Sequence, residues 1–386
     1  MKILVLGGCG AMGSEATRDL ARTSDFTEIA VADIDYHKAS HFCDSIGDPR
    51  LVPMQVDVSN GEGLRRLFAD YPIVLNCTSY AFGLIITEAA IAAKTNLLDL
   101  GGLYNTPKQL ALTEQAKEAG VTIVLGCGAT PGITNLMALK GASQLDRVDS
   151  AHVAFATYRT IAPSPGLLDT VLDEFSPGTT RFFYEDGQFI EVPPFEGEKA
   201  ITFCDPVGTV NTYFVPHSET HTLPRFLPGS PKRVDVRGTW RPETMDGLRV
   251  FNQMGLLQHD NLPGKDFSAK KALREIFIAQ NVREDEGVWA FFLNVQILGH
   301  KGPQAVKMTY NLSHPMREEW GCSCTARVTG IPASIGAQLV AKGAVKGVGV
   351  LAPEACFDPD EFFAELAKRD IQIHETVIAN QTLGLA

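Results

Sequence analysis

Side chains that can transfer protons are concentrated between Tyr213 and Pro224. In this segment His217, Glu219 and His221 stand at two-residue steps, so an extended backbone would place all three on one face. Imidazole titrates near pH ~6.5 and therefore exchanges protons at neutral pH. We predict that His217 is a general base, that Glu219 orients it, and that His221 contacts a substrate. A solvated strand or loop is the alternative explanation for the same residues.

Further residues are candidates for the same chemistry. Asp99, at the end of a predicted strand, is an alternative partner for His217. An arginine can clamp a substrate carboxylate through two parallel hydrogen bonds. The candidates for this clamp are Arg159, Arg181 and Arg225, each of which is otherwise a surface cation.

A second group of residues is suited to holding phosphates. Between Lys2 and Gly13 a short apolar run passes through glycines directly into a helical pattern. The glycines fit G-x-G-x-x-G from Gly8 and G-x-x-G-x-x-G from Gly7. Either register lets the backbone turn tightly and approach a pyrophosphate at the helix start, whereas the alternative is a plain turn. The predicted cofactor contacts here are Gly7, Gly8, Gly10, Ala11, Met12 and Gly13.

Asp33 follows Gly13 by twenty residues, at the end of the second predicted strand. A carboxylate at that position accepts hydrogen bonds from an adenosine ribose and repels a 2′-phosphate. The sequence therefore favours NAD over NADP as the cofactor, although Lys38 lies nearby in the chain. The alternative interpretation of Asp33 is a helix cap.

Later strand ends complete the predicted cofactor site. Asp57 closes the third strand, where it either meets the adenine or is a solvated loop acid. Cys77 and Thr78 end the fourth strand, on the ribose and nicotinamide side. The sixth strand ends in the glycine-rich segment 126–132, in which Gly128 can approach a nicotinamide ring closely.

A new helix begins after this segment. Thr134 and Asn135 supply a hydroxyl and an amide at its start, and we predict that they bind the substrate. Thr134 is alternatively the cap of that helix. The cysteine spacing supports no zinc site, and we predict no metal.

The first 130 residues alternate between short apolar runs and helical segments, the pattern of βαβ units on a parallel sheet. Right-handed crossovers give a doubly wound sheet that binds its ligand at the carboxyl ends of the strands. The predicted strands are Lys2–Leu6, Glu28–Asp33, Leu51–Asp57, Ile73–Cys77, Asn96–Leu100 and Val121–Leu125. The predicted helices are Met12–Arg22, His37–Ser45, Gly61–Ala69, Leu84–Ala93 and Thr106–Ala119.

After Asn135, alternating runs and tight turns predict a mainly antiparallel sheet in an α+β domain. Its predicted strands are Ala151–Arg159, Thr180–Tyr184, Gln188–Val192, Lys232–Thr239, Val288–Gly299 and Ala305–Leu312. Its predicted helices are Leu136–Ser143, Pro163–Asp173 and Ser268–Ala279.

Two domains follow from these patterns. We predict an α/β Rossmann domain over residues 1–130, completed by a C-terminal return of about 331–386, and a substrate and oligomerisation domain over 131–330. The return is inferred from a helix that starts at Ile331, with Pro332 in its first turn, and from a helix at Asp360–Arg369.

Composition limits the classes of partner. Hydrophobic residues make up 45% of the 386 residues and charged residues 20%, as in ordinary globular proteins. The net charge of −11 disfavours nucleic acid and anionic membrane surfaces. Neither a signal-peptide pattern nor ~18 uninterrupted apolar residues occurs, and the eight cysteines contain no C-x-x-C pair. We therefore expect a cytoplasmic protein with reduced thiols and a small-molecule substrate.

With the glycine turn, Asp33, the Asp99-Leu-Gly-Gly strand end and the Pro131-Gly-Ile-Thr-Asn segment in order, the chain resembles the saccharopine dehydrogenase-like family. In length and layout it is most similar to the bacterial lysine 6-dehydrogenases within that family. Further similarity lies in the Asp186-Gly-Gln hairpin and in Thr329-Gly-Ile-Pro-Ala-Ser.

The resemblance implies an NAD(P)-dependent oxidoreductase that acts on a carbon–nitrogen bond of an amino acid or polyamine-like substrate. It implies a homo-oligomer, either a dimer or a tetramer. Oxidative deamination of the lysine 6-dehydrogenase type is the first expectation, and reductive amination of the saccharopine or carboxynorspermidine dehydrogenase type is the second. A catalytically silent NAD(H) sensor is an alternative of another class.

Overall fold

A computed structural model describes residues 1–158, 165–258, 261–279, 290–315 and 324–380. The chain divides into two compact units. The first comprises residues 1–140, 221–228 and 325–372, and the second comprises residues 141–220, 229–324 and 373–386. The first unit therefore extends past the predicted boundary at residue 130, and the final segment, from residue 373, belongs to the second unit. Arg159 lies outside the described residues.

The strands, in chain order, are Lys2–Leu6 (β1), Glu28–Asp33 (β2), Leu51–Gln55 (β3), Ile73–Asn76 (β4), Asn96–Asp99 (β5), Thr122–Val124 (β6), Arg147–Tyr158 (β7), Arg181–Glu185 (β8), Gln188–Val192 (β9), Lys199–Thr202 (β10), Thr209–Phe214 (β11), Arg233–Trp240 (β12), Ala290–Lys301 (β13), Gln304–Pro315 (β14), Gly349–Leu351 (β15) and Ile373–Asn380 (β16).

The helices are Ala11–Thr23 (α1), Tyr36–Ile46 (α2), Gly61–Phe68 (α3), Gly83–Ala93 (α4), Thr106–Leu110 (α5), Thr113–Ala119 (α6), Ile133–Ala142 (α7), Pro165–Glu174 (α8), Glu219–Phe226 (α9), Pro242–Gln253 (α10), Ala269–Ala279 (α11), Cys324–Ala341 (α12), Pro353–Cys356 (α13) and Pro359–Ala367 (α14). None of these helices is long and apolar enough to cross a bilayer.

The sheet of the first unit confirms the predicted doubly wound fold. In the described residues its order is β15-β6-β5-β4-β1-β2-β3, and every pairing is parallel. The apolar runs that predicted β1, β2 and β4 are almost completely buried, as expected for a sheet covered on both faces. Strand β15 was not predicted, because three residues carry too little pattern to separate a strand from a loop.

Strand register brings the predicted cofactor residues to one edge of this sheet. Leu6, the last residue of β1, pairs with Ala32 of β2 on one side and with Asn76 of β4 on the other. Because the three strands are parallel, the turns that follow them emerge side by side.

The second unit contains a mixed, mostly antiparallel sheet, as predicted. In the described residues its main path is β10-β11-β12-β7-β13-β14-β16; off this path, β8 pairs with β12 and β9 pairs with β8. One pairing, between β12 and β7, is parallel. The β8–β9 hairpin turns at Asp186 and Gly187, whose φ angles of 45° and 88° are those of a tight hairpin turn.

Several predicted elements differ in the structure. The predicted helix Thr106–Ala119 is two helices, α5 and α6, and the Thr113 hydroxyl donates to the Leu110 carbonyl at the break. Helix α12 is described from Cys324, not Ile331, and Pro332 lies inside it. Burial of the apolar side chains of α12 stabilises the helix on both sides of Pro332, although a proline locally favours a helix start. Strands β10, β11 and β16 and helix α10 were not predicted.

Candidate functional site

The turn between β1 and α1 leaves little room for side chains at Gly7, Gly8 and Gly13. Gly7 has a φ of +68°. A Cβ at Gly13 would lie 2.1 Å from the Gly7 carbonyl oxygen, and one at Gly8 would lie 3.0 Å from the Val5 carbonyl oxygen. Helix α1 follows Gly10 at once and has no side-chain cap at its N-terminus. The N–H groups of Ala11, Met12 and Gly13 are therefore in the position where helices bind pyrophosphate, and the turn fits a dinucleotide.

Cys77 and Thr78 adjoin this turn. A Cβ at Gly7 would lie 2.9 Å from the Cys77 carbonyl oxygen. Asn76 fixes the segment, because its Oδ1 accepts hydrogen bonds from the Thr78 N–H at 3.0 Å and the Thr78 hydroxyl at 2.6 Å.

Asp33 ends β2 beside the glycine turn. Its Oδ2 accepts a hydrogen bond from the Cys9 thiol at 3.0 Å and lies 3.8 Å from the Lys38 ammonium. The cap of α2 is Asp35, which accepts from the N–H groups of His37 and Lys38. The interpretation of Asp33 as the helix cap is therefore wrong.

Asp57 lies two residues after the end of β3 and is exposed. The Ser59 hydroxyl and N–H both donate to its Oδ1, which lowers the pKa of Asp57. No described contact joins Asp57 to the glycine turn.

Asp99 is buried at the end of β5 and holds two glycine turns in place. Its Oδ1 accepts from the N–H groups of Gly101 and Gly126, both at 2.8 Å, and its Oδ2 accepts from Gln109 at 2.8 Å. Burial raises the pKa of Asp99, although these hydrogen bonds oppose the change. The Asp99 carboxylate thus accepts hydrogen bonds from backbone groups of its own unit. This geometry favours a positioning role for Asp99 over the predicted partnership with His217.

The segment after β6 also depends on glycine. Gly128 donates its N–H to the Pro131 carbonyl at 2.9 Å, and a Cβ at Gly132 would lie 1.9 Å from the Gly128 carbonyl oxygen. Gly126 packs against the Pro131 ring. The turn brings Gly128 to the carboxyl edge of the sheet, where it was predicted.

Asn135 is completely buried in the first turn of α7. Its Oδ1 accepts the Gly132 N–H at 2.8 Å, and its Nδ2 donates to Thr222 at 3.1 Å and to Glu354 at 2.8 Å. Thr134 is buried beside it, inside the helix. The Asn135 amide therefore links α7, α9 and α13 within the first unit.

His217 is buried between two carboxylates of the second unit. Its Nε2 lies 3.4 Å from Glu174 and its Nδ1 lies 3.4 Å from Glu219. Burial lowers the pKa of His217, but the hydrogen bonds and charges of the two glutamates outweigh it and raise the pKa to about 9. Phe155 packs against the ring, with 5.2 Å between centroids.

Residues 217–221 do not form the extended segment that would place His217, Glu219 and His221 on one face. Helix α9 begins at Glu219, so His217 precedes the helix and His221 lies inside it. Burial lowers the pKa of His221 to about 4, which leaves the ring neutral at neutral pH. A carboxylate in the first turn of a helix is favourable, and Glu219 occupies that position.

Arg181 is buried at the start of β8. Its Nη2 donates to the carbonyl groups of Glu174 at 3.1 Å and Ser176 at 2.6 Å, and burial lowers its pKa to about 10. These bonds fix the segment that carries Glu174, so the structure favours a positioning role for Arg181. Arg225 lies in the last turn of α9, over the ring of Phe226.

Sequence reasoning missed four residues that contact the candidate residues within their own units: Cys9, Gln109, Glu174 and Glu354. Cys9 could have been noticed because it interrupts the glycine motif. The other three lie in segments without a distinguishing pattern. In the described part of the chain, no group of three or more His, Cys, Asp or Glu residues could hold a metal ion.

The parallel sheet, its glycine turn and the Asp33 carboxylate at the end of β2 define a nicotinamide-dinucleotide-dependent oxidoreductase. The family model described as "Saccharopine dehydrogenase NADP binding domain" matches residues 3–124, and "Saccharopine dehydrogenase C-terminal domain" matches residues 128–371. The chain belongs to the saccharopine dehydrogenase family and acts on CH–NH groups.

Named relatives support this assignment. Carboxyaminopropylagmatine dehydrogenase from Synechocystis is 26% identical, over 97% of this chain and 98% of that protein. Carboxynorspermidine synthase from Vibrio cholerae is 24% identical over 71% of both chains. The apo structure of saccharopine dehydrogenase (L-Glu forming) from Saccharomyces cerevisiae has a TM-score of 0.71, with 19% identity, and covers 98% of this chain and 99% of that chain.

Proposed function

We propose that this protein joins an amine to a carboxylated aldehyde and reduces the resulting C=N bond to a secondary amine. The observation that carries the proposal is the end-to-end match to carboxyaminopropylagmatine dehydrogenase. Carboxynorspermidine synthase, also similar to this chain, is named for a carboxylated polyamine as well. This reaction type is the second of the two expectations from sequence.

The first unit would hold the dinucleotide. The N–H groups at the start of α1 bind the pyrophosphate, and the glycines of the turn leave room for it. When bound in reduced form, the dinucleotide supplies the hydride that converts C=N to CH–NH. We propose NAD over NADP, because the Asp33 carboxylate accepts ribose hydroxyls and repels a 2′-phosphate.

We propose that His217 holds the proton that the reaction consumes or releases. With a pKa near 9, the imidazole is protonated at neutral pH, which suits loss of water from an amine–aldehyde adduct. Above that pH the neutral ring becomes a proton acceptor and suits the oxidative direction. Glu174 and Glu219 raise this pKa. Thr134 and Asn135, which are buried within the first unit, remain proposed substrate contacts.

The test is a spectrophotometric assay of NADH and NADPH oxidation. An amino-acid semialdehyde is supplied alone or together with agmatine, a diamine, lysine or glutamate. We expect turnover only when amine and aldehyde are both present, and mass spectrometry should identify the secondary amine.

Two results would replace this proposal. Reduction of NAD by lysine alone would support lysine 6-dehydrogenase activity. Tight dinucleotide binding without turnover on any pair would support the sensor. A homo-oligomer remains a proposal that light scattering on the purified protein tests.

A further inference from the structure

Cys9 lies inside the glycine turn, but its side chain contacts the ribose end of the proposed dinucleotide site. Its Sγ donates a hydrogen bond to Asp33 Oδ2 at 3.0 Å across 24 residues of sequence. Neighbouring positions in the turn are glycine, whereas Cys9 carries the one side chain in Gly7–Gly10. The thiol is half-buried.

Asp33 receives two other contacts. The Asp35 N–H donates to Oδ1 at 3.1 Å, and the Lys38 ammonium lies 3.8 Å from Oδ2. The Asp33 side chain is 13% exposed and that of Lys38 is 56% exposed. A carboxylate offers about four lone-pair positions, so Asp33 is oriented by protein donors and still has capacity for a ribose hydroxyl.

We propose that Cys9 is a positioning residue that aims Asp33 at the adenosine ribose, and that Lys38 limits how strongly Asp33 rejects a 2′-phosphate. The inference rests on the proposed NAD(P)-dependent function. It extends that proposal by assigning selectivity to two residues beyond Asp33.

The chemistry of the thiol supports this role. Burial raises the pKa of Cys9, the hydrogen bond to Asp33 and the charge of Asp33 raise it further, and Lys38 opposes them; the result is about 12. Cys9 therefore keeps its proton and stays a donor at physiological pH. Lys38 acts differently, because its charge attracts the phosphate that Asp33 repels.

The contact itself is tested without cofactor or substrate. The apo protein is alkylated with iodoacetamide at pH 8, and the rate at each cysteine is followed by peptide mass spectrometry. Asp33→Asn removes the charge that raises the Cys9 pKa, so Cys9 should react faster by at least about threefold. Cys204, a half-buried thiol of the second unit, is the internal control and should not change its rate.

The functional role is tested by binding. Dissociation constants of NADH and NADPH are measured by nucleotide fluorescence for the wild type, Cys9→Ala, Cys9→Ser and Lys38→Gln, with Cys204→Ala as the control. Cys9→Ala should weaken NADH binding about two- to tenfold and NADPH binding less. Cys9→Ser keeps a hydrogen-bond donor and should therefore recover most of the NADH affinity. Lys38→Gln should weaken NADPH binding about two- to fivefold more than it weakens NADH binding.

Equal losses for both nucleotides in Cys9→Ala, or an unchanged Cys9 alkylation rate in Asp33→Asn, would overturn the inference. Failure of the wild type to bind either nucleotide would instead overturn the proposed function. The two failures are therefore distinguishable.

Discussion

Asn135 donates a hydrogen bond to Glu354 at 2.8 Å, although 219 residues separate them in the chain. Both residues are buried: Asn135 is completely buried and Glu354 is 4% exposed. The same amide holds the Gly132 N–H through its oxygen. Asn135, which was predicted as a substrate contact, therefore also connects Glu354 of the C-terminal return to the turn after β6.

Glu354→Ala should destabilise the protein by about 1–3 kcal/mol, because it leaves the buried Asn135 amide without this acceptor. Glu118→Ala is the control, since that glutamate is exposed on α6, and it should stay within about 0.5 kcal/mol. Urea unfolding midpoints measure both. Equal midpoints for the two variants would contradict a stabilising role for the Asn135–Glu354 bond.

Gly13→Ala should weaken dinucleotide binding, raising the dissociation constant at least about tenfold, which corresponds to roughly 1.4 kcal/mol of lost binding free energy. The added Cβ would lie 2.1 Å from the Gly7 carbonyl oxygen, so the turn must move. Gly247→Ala is the matched control, because Gly247 lies on α10 and a Cβ added there would have no neighbour within 4 Å outside the backbone of its own helix. Fluorescence titration with NADH compares them; unchanged affinity in Gly13→Ala would place the pyrophosphate elsewhere.

His217→Gln should reduce turnover and remove an alkaline limb near pH 9 from the pH–rate profile, because the pKa of His217 is raised to about 9. Dinucleotide affinity should be unchanged. His41→Gln, at an exposed position on α2, is the control for loss of an imidazole. A wild-type pH profile in His217→Gln would show that another group carries the proton.

The same pKa predicts how stability depends on pH. The folded-state pKa of His217 lies above the unfolded value of about 6.5, so its stabilisation is fully present below pH ~6.5 and is lost as pH rises through about 9. The difference in unfolding free energy between wild type and His217→Gln should therefore be largest near pH 6 and smallest near pH 10. Guanidinium unfolding across this range measures it, and a difference that grows with pH would contradict the raised pKa.

Two variants of Asp99 distinguish a positioning role for this residue from a role in proton transfer. Asp99→Ala leaves the N–H groups of Gly101 and Gly126 without their acceptor and should cost about 2–4 kcal/mol of stability. Asp99→Asn retains an acceptor oxygen and should keep most of the stability and turnover. Thermal unfolding and kcat are measured for both variants. Loss of turnover in a stable Asp99→Asn variant would restore the predicted catalytic role.

The first sheet was predictable because its signals are local. Strands β1 and β2 have the predicted bounds, since each is a continuous apolar run that ends at a glycine turn or a carboxylate. The glycines and Asp33 could be assigned from spacing, because a tight turn and a helix start leave few other uses for that pattern. The second sheet was predicted less completely, because β10 has only four residues and the polar and apolar residues of β10 and β11 do not alternate regularly.

The residues that act through others were not predictable. Glu174 raises the pKa of His217, yet it ends helix α8, 43 residues earlier, and nothing in its neighbourhood distinguishes it. The two-residue steps of His217, Glu219 and His221 would share one face only on an extended backbone, but helix α9 begins at Glu219.

By itself, the sequence determined the dinucleotide fold, the glycine turn, the carboxylate at the end of β2 and the family of the chain. These features depend on residues close together in the chain, whose spacing is set by backbone geometry. Only the tertiary structure decided the protonation of His217, the backbone role of Asp99 and the contact of Cys9 with Asp33. A pKa or a hydrogen bond depends on burial and on partners tens of residues away, and spacing along the chain does not encode those distances.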